Sequence, residues 1–183
     1  MLCEERNYVM SEDKVFRKIA VIFVTDVVNF STLMEQNEEQ TLKNLKACRQ
    51  ILDNLFKEHS GRIFNTAGDS VLAEFHSAVS AVICASEFQK LISERNNSVS
   101  SSELLTFRIG INMGDVVVEG TNLYGEGVNV AARLEALCKP GGVCLSNNVH
   151  DFVKQKVDLS FLDLGSQQVK NTTVRAFEVA GKD

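Results

Sequence analysis

Hydrophobic residues recur along the chain with two periods, and each period predicts one kind of element. The continuous apolar run at residues 18–24 predicts a buried strand, and apolar residues at three- and four-residue intervals predict an amphipathic helix at residues 42–59. Ser31 or Thr32 is placed to cap the start of this helical region. Residues 62–75 predict a hairpin of two short strands joined by a tight turn.

The second half of the chain continues this alternation of helical and strand patterns. The pattern predicts helices at 78–92 and 128–138, with a polar loop at 96–102 between them. It predicts strands at 107–112, 116–119 and 143–145, with a turn at Gly114-Asp115 between the first two. A short helix and a hairpin are predicted near the C-terminus. The order β-α-β-β-α-β with C-terminal additions predicts an α+β fold. It is typical of a ferredoxin-like βαββαβ core, a mostly antiparallel sheet with helices on one face.

Length and composition narrow the class of protein. The chain has 183 residues, of which 44% are hydrophobic and 23% charged, and its net charge is -5, which fits one domain with a substantial core. We expect residues 1–16 to be a polar lead-in or linker remnant and residues 17–183 to form the domain. The mild acidity argues against a nucleic-acid partner, and no apolar run reaches the roughly 20 residues of a membrane span.

The cysteines indicate a reducing environment. There are five, none in a C-x-x-C pair, and Cys48, Cys84 and Cys138 fall within helical apolar patterns. We therefore expect reduced thiols, most of them packed in the core of a cytoplasmic protein.

Two aspartates occupy positions where carboxylates could meet. Asp26 follows the first buried strand, and Asp69 lies at the tip of the next hairpin. Neighbouring carboxylates are costly unless a cation neutralises them, and Mg²⁺ or Mn²⁺ would do so because both take oxygen ligands. Taken singly, each aspartate is better explained by a structural role, Asp69 as a turn residue and Asp26 as a helix cap.

Five segments resemble, in the same order, the motifs of class III adenylyl and guanylyl cyclases. They are DVVNFS at 26–31, GRIFNTAGD at 61–69, RIGINMGD at 108–115, LYGEGVNVAAR at 123–133 and LGSQQVKN at 164–171. The resemblance runs from about residue 18 to residue 179. It implies that residues 17–183 form a cyclase catalytic domain, which turns a nucleoside triphosphate into a 3′,5′-cyclic nucleotide and pyrophosphate.

The resemblance implies a metal site and a phosphate site. Asp26 and Asp69, with help from the Val27 carbonyl, would hold two Mg²⁺ or Mn²⁺ ions. One ion would lower the pKa of the ribose 3′-hydroxyl, and the other would clamp the triphosphate. Backbone N–H groups at a helix start would face the phosphates. These are the N–H groups of Phe30, Ser31 and Thr32.

The third predicted helix carries two further candidates. Asn129 and Arg133 are four residues apart and therefore share one helical face. By resemblance, Asn129 would orient the ribose, Arg133 would neutralise charge on the α-phosphoryl oxygens, and Lys170 would bind the terminal phosphates. Without the resemblance, the helical pair would be taken as solvated and Lys170 would carry no signal.

Base selection is left open by two departures from the family pattern. Adenylyl cyclases usually have lysine at the position of Asn65 and aspartate or threonine at that of Asn122, whereas guanylyl cyclases have glutamate and cysteine. An amide both donates and accepts hydrogen bonds, so either purine could be served. We expect ATP as the substrate, with GTP as the alternative.

The resemblance also implies a homodimer with active sites at the interface. Asp26 and Asp69 would come from one subunit, and its partner would supply Asn65, Asn122, Asn129, Arg133 and Lys170. The rival from another class is a nucleotide-binding regulatory module with little turnover, and loss of a key residue would favour it, but all are present. Regulatory domains are often attached in this family, and the sequence identifies none.

Overall fold

The computed structural model describes residues 15–180 as one sheet flanked by helices. In chain order the elements are β1 (Phe16–Val27), α1 (Phe30–Gln36), α2 (Glu38–His59), β2 (Arg62–Ala67), β3 (Ser70–Phe75), α3 (Ala78–Ser98), a 3₁₀ turn (Ser101–Glu103), β4 (Phe107–Glu119), β5 (Asn122–Tyr124), α4 (Glu126–Leu137), β6 (Val143–Ser146), α5 (Asn147–Val153), β7 (Ser160–Val169) and β8 (Thr172–Ala180). The predicted order of helices and strands is confirmed except that α1 and β5 were not predicted and that β4 was predicted as two strands.

The strands form a mixed sheet in the order β2-β3-β1-β4-β6-β8-β7, with β5 paired to β4. β4 and β6 are parallel, and the other pairs are antiparallel. The predicted α+β class with a mostly antiparallel sheet is confirmed. β1 and β4 lie at the centre, so β1 is paired on both sides and buried on both faces.

The two faces of the sheet are covered differently. Val21 and Phe23 of β1 face a core built with α2, α3 and α5, while Ala20 and Ile22 face a second core against α4 and the β4–β5 hairpin. The helices of the βαββαβ core thus lie on one face as expected, but α4 lies on the opposite face. The expectation of helices on one face alone was wrong, because the apolar stripe of α4 does not say which side of the sheet it covers.

Three local predictions were also wrong. Gly114 and Asp115 do not turn, because β4 pairs with β1 without interruption and this ladder holds both residues extended. The turn comes instead at Gly120, whose φ is 59°. Ser31 and Thr32 lie inside the first turn of α1, after an N-cap at Asn29. The loop predicted at residues 96–102 is partly helical, since α3 continues to Ser98.

The cysteines follow the prediction where the structure describes them. Cys48, Cys84, Cys138 and Cys144 are free and buried, whereas Cys3 lies outside the described residues. The lead-in predicted at residues 1–16 also lies mostly outside them, although Phe16 already begins β1. Within residues 15–180, no helix is long and apolar enough to cross a membrane.

Candidate active site

The two candidate metal carboxylates are neighbours. The β1–β3 register pairs Thr25 with Val71, which places the end of β1 beside the tip of the β2–β3 hairpin. The backbone N–H of Val27 donates to Asp69 Oδ2 at 2.8 Å. Sequence reasoning predicted that Asp26 and Asp69 would meet at one edge of the sheet. The Val27–Asp69 bond spans 42 residues of the chain and places Asp69 beside the residue that follows Asp26.

Arg49 of α2 holds the hairpin tip that carries Asp69. Its Nη2 contacts the carbonyl oxygens of Gly68, Asp69 and Ser70 at 3.4, 3.1 and 3.4 Å. Burial lowers the pKa of the Arg49 guanidinium, and the nearby carboxylates of Asp53 and Asp69 oppose that effect. Sequence reasoning missed Arg49, because one charged residue in an amphipathic helix looks like part of a solvated face.

Asp26 lies against Arg108, which also contacts Glu135 of α4. Arg108 Nη2 is 3.4 Å from both carboxylate oxygens of Asp26, and Arg108 Nε is 3.2 Å from Glu135 Oε1. Burial, together with the hydrogen bond and the charge of Asp26, raises the pKa of Glu135 to about 9, although Arg108 opposes this shift. The RIG and RLE segments contain Arg108 and Glu135, but their spacing gave no sign of this contact.

The donors at the end of β1 fit hard divalent cations. Asp26 and Asp69 are only partly buried, and both Arg108 contacts to Asp26 are long for charge-assisted hydrogen bonds. Lone pairs on both carboxylates thus stay available beside the Val27 carbonyl. An all-oxygen donor set of this kind suits Mg²⁺ or Mn²⁺.

The first turn of α1 follows directly on this carboxylate pair. Asn29 adopts the left-handed conformation with φ 56° and makes no side-chain cap, so the chain turns sharply between Val27 and the helix. The first N–H groups of a helix have no intrahelical acceptor. This applies to the N–H groups of Phe30, Ser31 and Thr32, and the phosphate contact that the resemblance implies for them stays a prediction.

α4 and the β7–β8 turn form a second cluster. Asn129 and Arg133 are exposed on one face of α4, and a groove of about 290 Å³ joins them to Lys170. Lys170 lies in the turn between β7 and β8, where its φ of 50° departs from strand geometry. Two further contacts fix α4, namely a 2.9 Å hydrogen bond from Asn112 Nδ2 to the Gly127 carbonyl and close packing over Gly110.

The candidate base-reading residues form a third group. Asn65 lies on β2 and Asn122 on β5, and these two strands pack against each other. Arg62 of β2 links that strand to the start of β5, because its Nη1 donates to the Thr121 carbonyl at 2.7 Å. Its Nε donates to Glu74 of β3 at 2.8 Å. The resemblance implies that both asparagines bind the purine edge, but nothing in the sequence showed that they would be close together.

The candidate metal carboxylates and the α4 cluster point in different directions within one chain. On α4, Arg133 is exposed whereas Glu135 is buried against Asp26 and Arg108. The helix therefore presents its inner face to Asp26 of the same chain and Arg133 to the outside. The groove beside Arg133 and Lys170 includes neither Asp26 nor Asp69. The candidate residues of one chain thus fall into two separate clusters.

Comparison with known proteins identifies the class. Residues 11–182 match the family model of the adenylate and guanylate cyclase catalytic domain. A protein named putative adenylate cyclase 3 from Rhizobium meliloti (strain 1021) is 42% identical over 163 residues, 88% of this chain and 28% of that protein. The adenylate/guanylate cyclase/hydrolase from Silicibacter pomeroyi is 37% identical, with a TM-score of 0.86 over 92% of this chain and 100% of that one. The adenylyl cyclase CyaB from P. aeruginosa is 22% identical and shares the fold, with a TM-score of 0.79 over 93% and 97% of the two chains.

The chain belongs to the family of adenylate and guanylate cyclase catalytic domains. The resemblance of its five motifs to this family is thereby confirmed. The chain spans 28% of the length of the Rhizobium relative, so it is similar to one part of a longer protein.

Proposed function

We propose that this domain converts ATP to 3′,5′-cyclic AMP and pyrophosphate at two active sites shared between the subunits of a homodimer. The observation that carries the proposal is the separation of two half-sites on one chain. Asp26 and Asp69 form one half-site, and the exposed α4 face with Lys170 forms the other. A two-fold dimer brings each half-site against its complement.

Asp26, Asp69 and the Val27 carbonyl are the residues that hold two divalent ions. When bound, these ions lower the pKa of the ribose 3′-hydroxyl and neutralise the triphosphate. The N–H groups of Phe30, Ser31 and Thr32 bind phosphate oxygens, as first-turn N–H groups do.

The partner's α4 completes the site. Asn129 orients the ribose so that its 3′-oxygen lies in line with the bond to the leaving pyrophosphate. Arg133 stabilises the charge that develops on the α-phosphoryl oxygens as the new P–O bond forms and the bond to pyrophosphate breaks. Lys170 binds the terminal phosphates, and its exposed position at a hairpin turn leaves its ammonium group free to reach them.

Asn65 and Asn122 bind the purine edge. ATP is the proposed substrate, as the name of the Rhizobium relative suggests for that protein, and GTP is the alternative that the amides also permit. Incubation with either nucleotide and Mn²⁺ or Mg²⁺, followed by identification of the cyclic product, decides between them. Four buried free thiols support a reducing compartment, and we place the reaction in the cytoplasm.

A mixing experiment tests the shared site. Asp26→Ala and Arg133→Ala each damage both sites of their homodimer, and each variant alone should lose on the order of 10²-fold or more in activity. In a mixed dimer one site collects both lesions and the other collects none. Random exchange makes half the dimers mixed, so activity should return to about a quarter of the wild-type level. If the subunits demonstrably exchange and the mixture stays inactive, the site is built within one chain.

A further inference from the structure

The side-chain amide of Asn122 is held in one orientation by its own strand. Its Oδ1 accepts a hydrogen bond from the Leu123 backbone N–H at 2.9 Å, and its Nδ2 donates to Tyr124 Oη at 3.0 Å. A flipped amide would set its NH₂ group against the Leu123 N–H, donor against donor. The Tyr124 bond holds the amide in the plane in which the Leu123 N–H can reach its oxygen, so the two bonds together keep the amide from rotating.

The strand geometry makes this arrangement local and rigid. Asn122 and Tyr124 are two residues apart on β5 and so share one face, while Leu123 between them is only 2% exposed and packs in the core beneath α4. β5 pairs with β4 at all three residues. The tyrosine itself is 48% exposed, so its hydroxyl is not needed to fill the core.

Asn65, the other residue proposed to bind the purine edge, is not held in one orientation by hydrogen bonds. Within residues 15–180, the side chain of Asn65 makes no hydrogen bond, and it lies on exposed β2 next to a register shift in the β2–β3 pairing. Of the two asparagines, only Asn122 presents its donor and acceptor in a set order.

A fixed order matters because the two purines present opposite edges. Adenine carries a donor at its 6-amino group and an acceptor at N1, whereas guanine carries an acceptor at O6 and a donor at N1. After its two bonds to the strand, the Asn122 amide keeps one N–H and one carbonyl lone pair for a ligand. A locked amide suits one purine, whereas an amide free to rotate serves both.

We propose that Tyr124 is a positioning residue that sets the purine preference of the enzyme through its hydrogen bond to Asn122. The inference rests on the proposed function, since it requires Asn122 to line the purine pocket. Tyr124 does not touch the reacting atoms, and its effect passes through the amide alone.

The test compares kcat/KM for ATP and for GTP in the wild type, Tyr124→Phe, Asn122→Ala and the double variant. Tyr124→Phe removes one exposed hydroxyl, so its Tm should match that of the wild type. Its ATP/GTP ratio should move toward one by roughly three- to tenfold, the worth of one hydrogen bond. Adding Tyr124→Phe to Asn122→Ala should cause no further change in the ratio, because the amide through which it acts is gone.

The other outcomes separate this inference from the proposed function. If Asn122→Ala alters the ratio and Tyr124→Phe does not, the pocket stands and the role of Tyr124 is refuted. An equal shift from Tyr124→Phe in both backgrounds would mean that the tyrosine acts on the base directly, which also refutes it. If neither residue affects the ratio while cyclic product still forms, the inference and the base pocket both fail but the cyclase assignment does not. Absence of any cyclic product overturns the proposed function itself.

Discussion

A single methyl group at Gly110 should displace the helix that carries the proposed transition-state residues. A Cβ built on Gly110 lies 2.3 Å from both the Ala131 carbonyl oxygen and the Glu135 backbone nitrogen of α4. Real Cβ contacts to backbone atoms are essentially never shorter than 3.0 Å. Both atoms belong to the helix backbone, so no side-chain rotation relieves the overlap.

The helix must move, because the strand is fixed. Gly110 pairs with Val24 of β1 on one side and with Cys144 of β6 on the other, in the middle of the sheet. We expect α4 to recede by about 1 Å, the distance needed to restore an ordinary contact. The free energy of unfolding should fall by about 1–3 kcal/mol, as for other overpacked sites, so the variant should still fold.

The catalytic loss should be larger than the loss of stability implies. α4 carries Asn129 and Arg133, and a misplacement of about 1 Å at a catalytic group costs on the order of 10²-fold in rate. The measurement is kcat at saturating nucleotide and metal for Gly110→Ala, at a temperature where circular dichroism shows the variant to be folded.

Gly141→Ala is the matched control. Gly141 has a φ of 76° but no atom within 4 Å of its built Cβ, so alanine there adds backbone strain of about 1 kcal/mol without pushing any element. The control should lose stability and keep kcat. The reasoning is refuted if Gly110→Ala retains kcat within about threefold, or if Gly141→Ala loses as much activity as Gly110→Ala does.

Two further variants test the metal site and the ion pairs that support the sheet. Asp69→Asn keeps an oxygen for the Val27 N–H but removes the carboxylate charge. Turnover should therefore fall at least about 10²-fold, while the Tm stays unchanged. Full turnover across a Mn²⁺ titration would contradict the metal assignment. Burial raises the pKa of Glu74, but hydrogen bonds from Lys18 and Arg62 outweigh this effect and leave it below its usual value. Its stabilisation is therefore present above the unfolded-state pKa and lost as pH falls through the lower folded-state value. Glu74→Gln should lower the free energy of unfolding by about 1–3 kcal/mol at pH 7 and by progressively less below about pH 4. Urea unfolding of the wild type and the variant measures this difference. A difference that does not vary with pH would refute the reasoning.

Much of the local structure follows from the sequence, because local signals determine it. The apolar run of β1, the hairpin at Asp69 and the helical spacing around Arg133 each fit one kind of element, and the motifs indicated a cyclase. Where the prediction failed, a long-range contact prevailed over a local signal. Gly114 and Asp115 look like a turn, yet the β1 partner strand keeps them extended.

Only the tertiary structure decided how the elements face one another. Periodicity marks the apolar stripe of α4 but not the face of the sheet that it covers. The contact between Arg108 and Asp26 joins residues 82 positions apart, and the Arg49 contacts to the hairpin tip join residues about 20 apart. Such contacts depend on the register and layering of whole elements rather than on neighbours in the chain. For that reason the sequence named Asp26, Asp69 and Arg133, while the fold alone placed the two aspartates and Arg133 in separate clusters on one chain.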